Sequence, residues 1–200
     1  LDDAEVGRLA ATKASLLDTE DALARLRELD AVLPAANIDQ VRSALSAAVE
    51  LYVRGLDDDE LRAECEAWIE RGIAKVPVQI QVEVRLEMAS KAADGGRSDL
   101  ALGQVDAARA LFDGVNWPPE DRVPMLARIA EARFVAGNEE QARADADATL
   151  QLYREQRETI QDFWRGAALR PLAEAYVTMG ADAEALKVYR IAAEEGTSNP

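Results

Sequence analysis

The chemistry open to this chain is limited first by an absence. Its 200 residues include no histidine. Histidine is the commonest general base, the usual activator of a nucleophile and a favoured metal ligand. Ser-His-Asp and Cys-His machinery are therefore impossible, as are the paired Glu-x-x-His motifs that hold two metals in helical bundles. What remains is 38 carboxylates, one cysteine and three tryptophans. Carboxylate pairs can do acid–base work, but this many acids on helices produce pairs by accident, so none is singled out. The run Asp57-Asp58-Asp59-Glu60 has the composition of a cation site. It also has the form of a helix start, a cap followed at three residues by Glu, where carboxylates favour the positive end of the dipole. The helix-start reading is adopted. Gly95-Gly96-Arg97-Ser98 lacks the spacing and the lysine of a phosphate loop. It reads as a turn between helices, with Ser98 as cap. Cys65 lies one turn after Leu61 and one before Ile69, the setting of a buried structural thiol rather than a reactive one. Trp68, beside Ile69, reads as core, and Trp164, beside Phe163, reads as core by default. Trp117, before Pro118-Pro119, reads as a wedge between hairpins. No catalytic residue, metal ligand or cofactor is assigned, and no enzyme is expected.

The net charge of −15 argues against nucleic acid, which proteins approach through Lys/Arg patches that displace counterions. It also disfavours anionic membranes. Self-repulsion that keeps the chain in solution is the plain reading of that charge, and a basic partner is the other. One cysteine permits no internal disulfide and no paired zinc motif. No stretch approaches 18 apolar residues, so no membrane-crossing helix is expected. The chain begins at Leu1 with no signal-like segment. That start is expected to be a cut or processing boundary, and the compartment stays open.

The elements that would position these residues are helices. Apolar content is 48%, aromatics are only 5%, and alanine, the best helix former, is frequent. Residues 2–31 read as helix, with a possible break and cap at Asp18 or Thr19. Helix 38–54 follows the capping box Asn37-Ile38-Asp39-Gln40. Helix 58–75 comes next. From Val76 to Met88 apolar and polar residues alternate strictly, which argues strand. The same residues make two opposite apolar stripes on a helix, as a helix sandwiched between two neighbours needs, and no second strand exists to pair with. Helix is preferred. Helices 99–112, 122–136, 139–155, 157–179 and 182–195 complete the pattern, with Pro171 expected to kink one of them or mark its true start.

Glycines recur between these helices at Gly55, Gly96, Gly137 and Gly180, in steps of 41, 41 and 43 residues. Three of them are followed five residues on by alanine: Ala101, Ala142 and Ala185. A period of this size signals stacked helical hairpins, which build surfaces rather than reaction centres.

The last two units resemble the tetratricopeptide repeat (TPR). The residues are Leu172-Ala173-Glu174-Ala175-Tyr176, Gly180, Ala185, Tyr189 and Ala192. Before them come Ile129-Ala130-Glu131-Ala132, Phe134, Gly137 and Ala142, with Thr149 in place of the last alanine. Weaker echoes are Met88-Ala89, Gly96, Ala101, Val105 and Ala108, then Ala48, Leu51 and Ala67, with Glu60 where alanine is expected. Glycine would supply a left-handed turn in each unit. The departure is the period, against the family's 34 residues. A TPR-like superfamily is therefore the level of the resemblance. It implies an all-α, right-handed TPR-like solenoid of stacked antiparallel hairpins over 35–200, preceded by a capping helical hairpin at 1–34. First helices would line a concave groove. The first unit would bring Arg42, Leu45, Val49 and Tyr52, and the next Glu83, Leu86 and Ser90. Glu131 and Phe134 follow, then Arg170, Glu174 and Val177. Tyr52 and Phe134 are the anchor candidates, since aromatics dominate hot spots. The lysine–asparagine set by which some family members clamp a peptide C-terminus is absent. The expected function is a non-catalytic interaction scaffold holding a peptide or protein segment in that groove. The alternatives are a ligand- or peptide-sensing segment of a larger regulator, and an enzyme accessory with a hidden acidic site.

Overall fold

The computed structural model describes residues 19–197, and among the described residues the chain is helical with no strand. After α1 (Thr19–Val32) come four pairs of helices: α2 (Ile38–Arg54) with α3 (Asp59–Ile73), α4 (Val78–Asp94) with α5 (Ser98–Asp113), α6 (Pro119–Val135) with α7 (Glu139–Gln156), and α8 (Asp162–Thr178) with α9 (Asp182–Thr197). The first helix of every pair is 17 residues long. Asp18 and the first part of the expected capping hairpin lie outside the described residues.

Local chemistry starts several of the helices. Asn37 and Gln40 close a capping box on α2, each side chain accepting from the other's backbone N–H at 2.9 and 3.0 Å. Asp58 accepts from the Leu61 N–H at 3.1 Å to cap α3, while Asp59 pairs with Arg62 at 2.5 Å and Asp57 lies 3.8 Å from Arg97. The acidic run thus spends its carboxylates on a helix start and on nearby arginines. Asn138 accepts from Gln141 to cap α7. Pro77 and Pro118 precede α4 and α6, where a missing N–H costs nothing. Ser98 is the first residue of α5 rather than the residue before it. The alternating segment is helix α4. From Val82 onward both of its apolar stripes are covered, with Val82 and Leu86 buried on one and Val84 and Met88 on the other. Pro171 neither starts nor ends α8, which runs through it, as α6 runs through Pro124. Pro124 lies between buried Val123 and Met125, and Pro171 precedes buried Leu172.

Three of the four turns share one geometry. Gly96, Gly137 and Gly180 have φ of 74°, 97° and 66°. In each, the residue after the glycine donates its N–H to the carbonyl five residues back: Arg97 to Ala92, Asn138 to Arg133, Ala181 to Tyr176, at 2.8 to 3.1 Å. This six-to-one bond is the Schellman closure, which favours glycine because its φ is positive. The alanines that follow at five residues, Ala101, Ala142 and Ala185, are buried where the second helix leaves the turn. Gly55 differs. Its φ is −81° and it opens a single 3-10 turn, Gly55–Asp57. A β-carbon there would stand 2.8 Å from the Arg62 backbone nitrogen. Close approach of α3, not a left-handed backbone, requires this glycine.

The contacts gather into two compact units, Leu1–Leu111 and Phe112–Pro200. In the first, α2 packs on both α3 and α4. Ala44, Ala47 and Ala48 are buried on α2, with Trp68 and Ile69 fully buried on α3, so close helix crossings are made by small residues and filled by large ones. Arg85, buried on α4, donates to Gln104 at 2.8 Å and pairs with Glu70. In the second unit α6 packs on α7 and α8, and α8 on α9. Alanines 127, 130, 142, 146, 173 and 175 line its core with Leu169, Leu172 and Tyr176. Trp117 stacks on Phe112 at 5.2 Å and donates its indole N–H to the Phe112 carbonyl at 2.9 Å. Near the end of α9, buried Glu195 accepts from the Tyr153 hydroxyl at 2.8 Å and from Arg157 at 2.5 and 2.8 Å. The Arg157 hydrogen bond holds its carboxyl below the usual glutamate range. No described helix is long and apolar enough to cross a membrane.

Candidate functional site

The groove-facing residues expected from the sequence occupy one register on the first helices, at thirteen, ten, six and three residues before each turn glycine. Steps of three and four keep them on one face. The structure gives that face different fates in different hairpins. On α2, Leu45, Val49 and Tyr52 are 0% exposed, and only Arg42 reaches solvent. Tyr52 is therefore not a surface anchor. Its ring is core, its hydroxyl has no hydrogen-bond partner, and burial first, then the Glu66 charge, push the phenol up to about 12. On α4, Leu86 is buried, Glu83 half-buried and Ser90 exposed.

In the second unit the face opens. Glu131 on α6 accepts from the Thr178 hydroxyl at 2.6 Å, joining α6 to the end of α8. Phe134 is half-buried against the core, and the Arg143 guanidinium lies over its ring at 5.9 Å while donating to the Met179 carbonyl at 2.7 Å. On α8, Arg170 and Glu174 are exposed and paired at 2.8 Å, one turn apart. Val177, one turn further, is 51% exposed.

Toward the N-terminal ends of α6 and α8 the same face leads into a hollow of about 400 Å³. Glu120, Asp121 and Pro124 line it from α6, and Trp164, Ala167 and Ala168 from α8. Pro124 and Ala167 stand thirteen residues before Gly137 and Gly180, so the hollow continues the register rather than lying beside it. Trp164 is 47% exposed, against the expectation that it is core, and Phe163 beside it, at 4.9 Å between ring centres, is exposed further. The reason is local. Arg165, the next residue, takes the inward position, donating to the Ile160 and Arg157 carbonyls at 3.0 Å and pairing with Asp162 at 2.6 Å. With Arg165, Ala168 and Leu169 inward, Phe163 and Trp164 turn out. The proline and alanine at the thirteen-residue position, with no bulky or charged side chain, were the available sign of this hollow.

Elsewhere the reactive groups are closed off. Cys65 is fully buried, and burial, then Glu66 and Glu64, push its thiol up to about 12. A thiol so protonated is not a nucleophile at neutral pH. Among the described residues no three His, Cys, Asp or Glu side chains converge as a metal site. In comparisons with known proteins, the chain matches no family model, no curated protein and no solved structure.

Proposed function

We propose that this chain is a non-catalytic binding module of TPR-like fold, holding a peptide or protein segment along the open first-helix face of α6 and α8. The observation that carries the reading is that face itself. Val177 and Trp164 stand exposed on either side of the Arg170–Glu174 pair, so the face offers a partner both apolar contact and charge, as binding surfaces do. The TPR-like fold is supported by four first helices of equal length, by three like turns with buried alanines after them, and, within each unit, by the packing of α2 on α4 and of α6 on α8. The alternative, a ligand-sensing segment of a larger regulator, calls for a closed apolar pocket. The hollow at Trp164 is instead half open and edged by two carboxylates, which favours the first reading.

Selection of a displayed random-peptide library on the purified chain tests this. Selected peptides are expected to lose binding to the Arg170→Glu/Val177→Asp double variant, both positions being exposed and tolerant. Selection of no peptide, or of peptides that bind the variant equally, overturns the reading.

A further inference from the structure

The lining of the Trp164 hollow selects the chemistry of its occupant. Glu120 and Asp121 contribute two carboxylates, and neither has an ion pair or side-chain hydrogen bond with a described residue. Among the described residues no basic side chain lines the hollow. Another hollow, about 290 Å³ between α1 and α3, behaves differently. It carries Arg27 and Arg71 beside its acids, and Arg71 is already paired with Asp30 at 2.9 Å. The carboxylates of Glu120 and Asp121 stand in the first turn of α6, where the helix dipole offers about half a positive charge. Two full negative charges exceed that, so the hollow stays anionic. Its opposite wall is the exposed indole of Trp164, whose face attracts cations most strongly among the aromatics. The small side chains of Ala167, Ala168 and Pro124 leave room for an aliphatic stem, and the volume lies within the range of ligand pockets. The net charge of −15 draws positive partners to the surface as a whole.

We propose that the hollow between α6 and α8 is a socket for a cationic side chain, arginine in preference to lysine, presented by a basic peptide segment. The guanidinium stacks flat on the Trp164 indole and meets Glu120 and Asp121 at its edge, a planar fork that an ammonium does not match. The segment then runs along the face toward Arg170, Glu174 and Val177. This inference rests on the α6–α8 face being the binding surface.

The test uses the whole chain, ¹⁵N-labelled, with the probe acetyl-Gly-Ala-Arg-Ala-Gly-amide and its glutamate counterpart. Three indole N–H resonances are available, and Trp164→Leu identifies one of them. The arginine peptide is expected to shift the Trp164 resonance saturably, leaving those of buried Trp68 and Trp117 in place, and the glutamate peptide to shift none. Glu120→Gln with Asp121→Asn is expected to weaken binding about fivefold. Because these carboxylates also support a helix start, Trp164→Leu is the second variant, read on the amides of Ala167 and Ala168, and it too weakens binding. No saturable shift, an equal response to the glutamate peptide, or unaltered binding in both variants overturns the socket. If the socket fails while library peptides still depend on Arg170 and Val177, the face reading stands alone. If the arginine peptide binds and the face variant changes nothing, the socket stands and the face falls.

Discussion

Helices α2 and α8 have the same length and the same place in their hairpins, yet their equivalent faces end in opposite surroundings. Leu45, Val49 and Tyr52 on α2 are sealed, while Arg170, Glu174 and Val177 on α8 meet solvent. The difference is already written in the residue types. Three apolar side chains on one helical stripe must be covered, because each large one gains about 1.5–3 kcal/mol on burial. An Arg–Glu pair one turn apart gains little from burial and loses hydration. Alignment to a repeat pattern treats the two stripes as equivalent, whereas transfer energies separate them. A binding face is therefore to be sought where the stripe is mixed.

The strongest way to break this comparison is to place one charge on each face. Tyr52→Asp buries an unpaired carboxylate and is expected to cost about 4 kcal/mol or more. Val177→Asp, at the same register on α8, is expected to stay within about 0.5 kcal/mol. Urea midpoints of the two variants decide it, and equal losses would end the distinction.

A smaller effect is expected at Glu195, which ties α9 to Tyr153 and Arg157. Glu195→Ala should cost about 2–3 kcal/mol, as loss of charge-assisted hydrogen bonds does. Its folded pKa lies below the ordinary value. The stability it gives is therefore complete above the ordinary glutamate pKa, about 4.3, and is lost as pH falls through the lowered folded value. Glu195→Gln, followed by urea unfolding at pH 7, 4 and 3, is expected to approach the parent protein on acidification. A constant gap would show that the charge is not the cause.

The turns sharpen the comparison by separating two demands on glycine. Gly180→Ala is expected to cost about 1–2 kcal/mol for its left-handed backbone, and Gly180→Asn to recover part of that, since asparagine tolerates the conformation. Gly55→Ala is expected to cost a similar amount by crowding the Arg62 backbone. Gly55→Asn should be worse, not better. Thermal melts of the four variants check the sign.

The smallest expected effect is a gain. Tyr52→Phe removes a buried hydroxyl without a partner and is expected to stabilise by about 1 kcal/mol. A loss would mean that the hydroxyl is satisfied in solution.

Much of the architecture is legible in the residues. The helices, the capping box at Asn37, the helical nature of the alternating segment and the buried state of Trp68 and Cys65 follow from spacing and side-chain chemistry, whereas the cap of α3 falls at Asp58, one residue after the position that Glu60 at three residues points to. These are interactions within a few residues of each other, and the chain alone specifies them. Less of the candidate site is legible. Glu131, Phe134, Arg170 and Glu174 lie on the helices where the spacing puts them, but Tyr52 shares its stripe with buried Leu45 and Val49, and only Arg42 of that stripe is polar. Trp164 reads as core from residue type alone, since aromatics are large apolar groups, yet it is half exposed.

Tertiary structure decided what no local rule contains. Arg165 takes the inward position on α8 because the Ile160 and Arg157 carbonyls need a donor, and that choice turns Trp164 outward. Pro124 and Ala167, 43 residues apart in sequence, become the floor of one hollow only because α6 packs on α8. Gly55 is required by the approach of α3, not by its own backbone angle. Sequence sets which groups must be paired or hidden, since transfer and hydrogen-bond energies belong to residue types. Which neighbour meets the need depends on contacts between residues far apart in the chain, and only the folded packing supplies them.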